Sequence, residues 1–153
     1  LLEDTQWGEV DYMIIDFPPG TSDIQLTSVQ KLNIAGALIV TTPQEISLND
    51  ARKAASMFTN PDLKVPILGV IENMSWFTPA KHPDEVYYIF GRGGGLKMAK
   101  EFDTMLLSQI PLVMEVGEAA ERGKSVFEQT NKEVIRAFEK IAELVISKTE
   151  GKS

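Results

Sequence analysis

The chain has 153 residues, of which 43% are hydrophobic and 24% charged, a composition typical of one compact domain and not of disordered or fibrous proteins. Its formal net charge of −7 repels phosphate backbones and argues against nucleic acid as a partner. The absence of cysteine excludes disulfides and thiolate metal sites and fits a reducing compartment. Polar residues interrupt every apolar run, so the sequence predicts no stable membrane insertion, and the acidic N-terminal stretch does not resemble a signal peptide.

The chain begins Leu1-Leu2-Glu3, and its first methionine is Met13, inside a predicted strand. We therefore expect residues 1–153 to be a single domain that forms part of a longer protein.

The first predicted elements are a strand and a helix. Residues 10–16 form an apolar run closed by Pro18, Pro19 and Gly20, which predicts a strand buried on both faces. Ser22 and Gln25 have the spacing of a capping box, which predicts a helix over about residues 23–33.

The same alternation continues along the chain. Apolar runs predict strands at residues 37–41, 65–71 and 106–110, and helical spacing predicts a helix capped by Ser47, a helix over about residues 94–102, and a final helix with a capping box formed by Thr130 and Glu133. Strands that alternate with helices indicate an α/β fold, a mostly parallel sheet with helices on both faces.

The connection over residues 74–92 is longer than such units normally have. It contains five aromatic side chains, which favour an ordered segment that packs or binds a partner. His82, the one histidine of the chain, lies there between prolines, and a solvated charge explains it better than a catalytic triad or a metal site with Asp84 and Glu85.

Asp16 comes directly after the first predicted strand, where open parallel sheets bind ligands. Such an aspartate can hold Mg²⁺ beside a nucleotide triphosphate, and Gly20 can offer a backbone N–H to a γ-phosphate. From these residues alone, a strand ending and a rigid Pro-Pro-Gly turn explain the pattern equally well.

Two further segments invite comparison with nucleotide sites. The glycines at residues 91–95 match neither the dinucleotide fingerprint nor the P-loop, so we interpret them as turn residues that let the next helix approach its neighbours closely. Asn73 follows another predicted strand and could recognise a purine edge, although a turn former is the commoner use of asparagine there.

Taken together, five collinear motifs between Asp11 and Phe127 resemble the C-terminal portion of the Mrp/ApbC family. They are Asp-Tyr-Met-Ile-Ile-Asp-Phe-Pro-Pro-Gly-Thr-Ser-Asp at residues 11–23, Val-Thr-Thr-Pro-Gln-Glu at 40–45, Gly-Val-Ile-Glu-Asn-Met-Ser at 69–75, Tyr-Ile-Phe-Gly at 88–91, and Ile-Pro-Leu at 110–112. That family belongs to the deviant P-loop ATPases related to MinD and the nitrogenase iron protein.

The resemblance implies a cytoplasmic, homodimeric ATPase that carries or assembles iron–sulfur clusters for apo-protein clients. Asp16 would be the Walker B aspartate that acts on Mg²⁺. Pro18 and Gly20 would belong to the switch that senses the γ-phosphate of ATP. Asn73 would recognise adenine, and the segment after Pro111 would close over the base.

Two features of the family are missing from these residues. The deviant Walker A loop with its two lysines is absent, so we expect this polypeptide alone neither to bind ATP tightly nor to hydrolyse it. The Cys-x-x-Cys pair that follows the Asn-Met-Ser motif in the family is also absent, which leaves no thiolate for an iron–sulfur cluster.

The sequence leaves two alternatives to an iron–sulfur ATPase open. A MinD-like positioning ATPase normally ends in a basic amphipathic helix, whereas residues 132–148 mix both signs of charge. A non-catalytic α/β interaction module would use Asp16 and Asn73 only structurally and would bind its partner through the aromatic segment.

Overall fold

A computed structural model describes residues 5–17, 29–61, 63, 65–128 and 131–150. In chain order its elements are β1 (Ala37–Thr41), α1 (Glu45–Phe58), β2 (Ile67–Glu72), α2 (Gly94–Glu101), β3 (Leu106–Gln109), α3 (Met114–Glu121), a short 3-10 helix (Val126–Glu128) and α4 (Lys132–Thr149). None of the helices in these ranges combines the length and the hydropathy that a bilayer crossing requires.

The three strands form one parallel sheet in the order β1-β2-β3. Leu38 pairs with Gly69 and Ile71 pairs with Ser108, so the strands run in near alignment and their carboxyl ends reach the same edge. The predicted parallel α/β architecture is therefore confirmed.

Successive residues of β2 face opposite sides of the sheet, and each side carries its own core. Val70 belongs to the cluster formed with α1 and α2, which includes the buried side chains of Leu48 and Met98. Ile71 belongs to a second cluster with Leu107 and the α4 residue Ala137. Helices therefore cover both faces of the sheet, as the alternation of elements predicts.

The predicted strand at residues 10–16 is wrong for this structure. The segment has no regular secondary structure, and apolar side chains that were expected to be buried are exposed, with Val10 at 51% and Ile14 at 74%. An extended segment needs neighbouring backbone to satisfy its N–H and C=O groups, and the described residues offer it no ladder partner.

Helix starts are the least accurate part of the prediction. The structure begins α1 at Glu45, so Ser47 lies inside the first turn and Gln44 is the N-cap without a side-chain cap bond. Asn131 caps α4, and Thr130 lies outside the described residues. The helix expected at about residues 23–33 also lies largely outside them, and its last part, residues 29–31, is helical.

The sequence analysis missed α3 entirely. Only Ala119 of this helix is buried, and its interior contains Gly117, a poor helix former, so the segment gives no clear apolar periodicity from which a helix could be predicted.

Candidate functional site

The segments that leave the three strands meet at the carboxyl edge of the sheet, which we define as residues 41–43, 72–77 and 109–112. The Asn73 N–H donates to the Thr41 carbonyl at 2.7 Å, and the Ile110 N–H donates to the Glu72 carbonyl at 2.9 Å. The Leu112 N–H donates to the Trp76 carbonyl at 2.7 Å. The structure therefore places Asn73 and Pro111, two residues singled out from the sequence, on adjacent segments of one edge.

Asn73 forms a tight turn directly after β2. Its Oδ1 accepts the Met74 N–H at 2.9 Å, and Met74 has a positive φ of 54°, a left-handed conformation that is uncommon for a residue with a side chain. The turn-forming role is thus present. The Nδ2 of this half-buried side chain has no acceptor among the described residues, so the donor half of the amide is not committed to the turn.

Glu72 is the most buried charged residue at this edge, with 1% of its surface exposed. Its Oε1 accepts hydrogen bonds from Ser75 Oγ at 2.9 Å and from Gln109 Nε2 at 2.6 Å. Its Oε2 accepts the Gly95 N–H at 2.5 Å. One carboxylate thus joins the turn after β2, the start of α2 and the end of β3.

The sequence analysis did not single out Glu72 as a functional residue. The available signal was a carboxylate at the end of an apolar strand, and its meaning depends on donors from three separate parts of the chain.

The glycine-rich segment serves close packing, as expected. Gly91 and Gly93 have positive φ values of 94° and 76°. A Cβ on Gly94 would lie 2.6 Å from the Pro43 carbonyl oxygen, and one on Gly95 would lie 2.8 Å from the Cβ of Glu72. These glycines therefore let α2 begin against the segments that leave β1 and β2.

A buried hydroxyl at the carboxyl end of β1 has no hydrogen-bond partner within the described part of the chain. It is Oγ1 of Thr42, next to Thr41, whose carbonyl receives the Asn73 N–H. Buried polar atoms are normally satisfied, so this atom and the amide of Asn73 give the edge hydrogen-bonding capacity suited to a polar ligand such as a nucleobase.

Asp16 is exposed and makes no hydrogen bond or ion pair with the described residues, although its neighbour Phe17 packs against the core. Because the strand that was expected to carry it is absent, the position of Asp16 at the carboxyl edge stays a prediction. Pro18 and Gly20 lie outside the described residues.

The described residues contain no group of three or more histidines and carboxylates that could hold a metal ion. A single carboxylate is still compatible with Mg²⁺, which commonly takes its other ligands from water and phosphates. An iron–sulfur cluster does not fit, because the chain has no cysteine.

The aromatic segment over residues 74–92 is tied to the carboxyl edge. Phe77 pairs with Tyr87 through two backbone hydrogen bonds of 2.8 and 2.9 Å and also bridges to Leu112. The guanidinium of Arg92 lies 4.5 Å from the centre of the Tyr88 ring. The Tyr87 hydroxyl donates to Glu85, and this hydrogen bond raises the pKa of Tyr87 above its ordinary value. The segment is ordered, as its aromatic content predicts.

His82 is exposed, and its Nδ1 lies 3.5 Å from a carboxylate oxygen of Glu85. This arrangement agrees with the interpretation of a solvated charge and gives the residue no catalytic neighbour among the described side chains.

Comparison with known proteins shows which family this chain resembles. The sequence model of the family described as ParA, NUBPL iron-transfer P-loop NTPase, matches residues 1–146. A solved nucleotide-binding protein from Archaeoglobus fulgidus, in complex with ADP, superimposes with a TM-score of 0.68 at 35% identity, covering 80% of this chain and 50% of that one.

Curated relatives have consistent names. The iron–sulfur cluster carrier protein of Methanocaldococcus jannaschii is 45% identical over 99% of this chain and 51% of its own length. The corresponding protein of Aquifex aeolicus is 40% identical over 97% of this chain and 40% of its own. The mouse iron–sulfur cluster transfer protein NUBPL is 41% identical over 95% of this chain and 45% of its own length.

The chain thus spans about half the length of these curated relatives. The match over residues 1–146, together with the parallel sheet and its polar carboxyl edge, establishes that this chain belongs to the family of NUBPL iron-transfer P-loop NTPases, the Mrp/ApbC type.

Proposed function

We propose that this chain is the C-terminal portion of an ATP-hydrolysing switch protein that serves iron–sulfur cluster transfer, with the adenine base bound at the carboxyl edge. The observation that carries the proposal is the assembly of Asn73 and Pro111 on adjacent segments beyond β2 and β3. The ADP complex of the related archaeal protein supports a nucleotide as the ligand.

The proposal gives each residue a separate part. Asn73 donates through Nδ2 to the base, and the segment after Pro111 covers it. Asp16 holds Mg²⁺, which when bound would neutralise charge on the phosphates, and Pro18 and Gly20 belong to the loop that responds to the γ-phosphate. The membership of the family supports these assignments.

Exposed apolar surface supports the proposal that these residues belong to a larger domain. Val10, Tyr12, Met13 and Ile14 are between 42% and 74% exposed, and β1 is the edge strand of the described sheet, with Val40 at 59%. Several large apolar side chains exposed within one short segment often mark a surface that packs against other protein. We propose that the part of the protein that binds the phosphates covers it.

The proposal also covers the cargo of the switch and the protein that receives it. The names of the relatives support an iron–sulfur cluster as cargo. The proposal also includes an apo-protein client and a homodimer in the cytoplasm as the working form, and for these it rests on the resemblance of the sequence motifs alone. Because the residues present do not fit a cluster, no step of cluster binding is assigned to this chain.

Substitution of Asp16 tests the catalytic part of the proposal. In the full-length protein that contains these residues, we expect Asp16→Ala to reduce the ATPase rate by at least about a hundredfold, the usual order for loss of one preorganised electrostatic contact. The measurement is steady-state phosphate release with Mg²⁺ present.

The matched control is Asp50→Ala, which removes an exposed aspartate on α1 whose recorded ion pair is with Lys53 at 3.2 Å. It should retain the wild-type rate. Equal activity in both variants, or no activity in the wild-type protein, would favour the non-catalytic interaction module.

The isolated 153-residue chain should neither bind ATP tightly nor hydrolyse it. The sequence contains no phosphate-binding loop, and the phosphates would lose their main anchor without one. Calorimetric titration checks this, and an affinity in the micromolar range for the isolated chain would contradict it.

A further inference from the structure

We propose that Glu72 is a positioning residue for base recognition, a role that rests on the proposed function. Its carboxylate fixes the turn that carries Asn73 relative to the segment that carries Pro111. It does so without reaching the base itself, because its oxygens are already engaged with Ser75, Gly95 and Gln109.

The three donors come from separate parts of the chain. Ser75 belongs to the turn after β2, Gly95 to the first turn of α2, and Gln109 to the last position of β3. Loss of the carboxylate would release the attachments to Gly95 and Gln109 and one of the two acceptors of Ser75, while the backbone pairing of the strands would remain.

The turn after β2 contains a residue in an unfavourable backbone conformation. Met74 has a φ of 54°, which costs free energy in a residue with a side chain, and such conformations persist where the surroundings fix them. Ser75 Oγ donates to both the carbonyl and the carboxylate of Glu72, and this ties the far end of the turn back to β2. The direction of the Asn73 amide therefore depends on the Glu72 side chain.

The start of α2 is held by the same group. Gly95 lies so close that a Cβ there would be 3.0 Å from Oε2 of Glu72, and Gly94 lies against the Pro43 carbonyl beyond β1. A shift of the Glu72 side chain would move the start of α2 and, through Gly94, would also affect the segment after β1. The positions of all three segments of the carboxyl edge therefore depend on the Glu72 carboxylate.

The test compares Glu72→Met with Glu72→Gln in the full-length ATPase. Methionine keeps the length of the side chain but accepts none of the three hydrogen bonds. Glutamine can still accept from Gly95 and can donate to a reoriented Gln109 amide, and it is the conservative variant expected to restore function.

For Glu72→Met we expect the KM for ATP to rise about tenfold with kcat within about twofold, since loss of base positioning weakens binding and not the phosphate chemistry. The preference for ATP over GTP should fall by a similar factor, and Glu72→Gln should recover most of both. A purely structural role would lower the active fraction, reducing the maximal rate while KM and nucleotide preference stayed unchanged.

Gln109→Met provides a second route if Glu72→Met does not fold, because Gln109 is exposed and its loss removes a single donor. It should move KM and nucleotide preference in the same direction by about two- to threefold. If the wild-type protein prefers ATP while neither Glu72→Met nor Gln109→Met changes KM or preference, the role of Glu72 is overturned and the nucleotide site stands. If the wild-type protein binds no adenine nucleotide, the proposed function fails and the role of Glu72 fails with it.

Discussion

Glu72 and Asn73 are neighbours in the sequence with very different surroundings. The side chain of Glu72 is buried and satisfied by three donors, whereas Asn73 is half-buried and keeps an amide for which the described residues provide no acceptor. The end of the strand explains the difference, because Glu72 is the last residue of β2 and Asn73 already belongs to the turn that follows it. At the residue scale, the Glu72 side chain holds the segments of the edge together, and the Asn73 amide can donate to a ligand.

Gly95 provides a direct test of how tightly this edge is packed. Gly95→Ala would place a Cβ 2.8 Å from that of Glu72 and 3.1 Å from a methyl of Leu106, so we expect the free energy of unfolding to fall by about 1–3 kcal/mol. The measurement is chemical denaturation of the full-length protein.

Gly117→Ala is the matched control, since it makes the same change within α3 where a Cβ meets nothing within 4 Å. It should raise the free energy of unfolding by about 0.5–1 kcal/mol through helix propensity. Equal stability of the two variants would show that the start of α2 is not tightly packed against Glu72.

At the scale of elements, α1 and α2 are joined by a surface ion pair as well as by the core. Arg52 on α1 donates through Nε to Glu101 on α2 at 2.9 Å and through Nη1 to Glu45 at 2.9 Å. These hydrogen bonds, that to Glu101 first, raise the pKa of Arg52, and the bond from Arg52 lowers the pKa of Glu45. The contact joins α1 to the last residue of α2, the helix whose Gly95 N–H donates to Glu72.

The start of α4 depends on Asn131, whose Oδ1 accepts the N–H groups of Glu133 at 3.1 Å and of Val134 at 3.2 Å. We expect Asn131→Ala to lower the free energy of unfolding by about 1 kcal/mol, the usual cost of a lost N-cap. Asn131→Asp keeps the acceptor and should remain close to the wild type in a thermal melt. Similar losses in both variants would mean that the cap bonds do not stabilise α4.

The sequence predicted the interior of the elements better than their ends. The strand at Ala37–Thr41 was located correctly because an apolar run depends on local chemistry. Among the ends, the start of α2 at Gly94 was also located correctly, because glycines mark it in the sequence. The caps of α1 and α4 were assigned to the wrong residues, since several polar residues compete near each helix start. The prediction of a strand at residues 10–16 was wrong for a different reason. An apolar run indicates that a segment is buried, but a strand forms only where neighbouring strands pair with it.

Some residues of the candidate site could be predicted from local sequence and others could not. Asn73 and Pro111 could be selected from the sequence because each follows a strand, and the structure places them on adjacent segments. Glu72 could not be selected, because its role arises from contacts with residues 23 and 37 positions away in the chain. Long-range contacts of this kind carry no local pattern.

At the scale of the whole molecule, the chain spans about half the length of the curated relatives that it matches. Ile14 and the β1 residue Val40 are exposed, whereas the β1 residues Ala37 and Ile39 belong to one of the two buried cores. We propose that these residues recognise the base and that the rest of the protein retains the phosphates.

We propose that the carboxyl edge binds an adenine base through Asn73. This proposal is tested most directly by calorimetric titration of ADP into the full-length protein, its Asn73→Ala variant, and an Asn33→Ala variant that removes an exposed asparagine before β1. We expect Asn73→Ala to weaken ADP binding about tenfold, as for one lost hydrogen bond to a ligand, and Asn33→Ala to bind ADP like the wild type. Equal ADP affinity in the wild type and Asn73→Ala would contradict it.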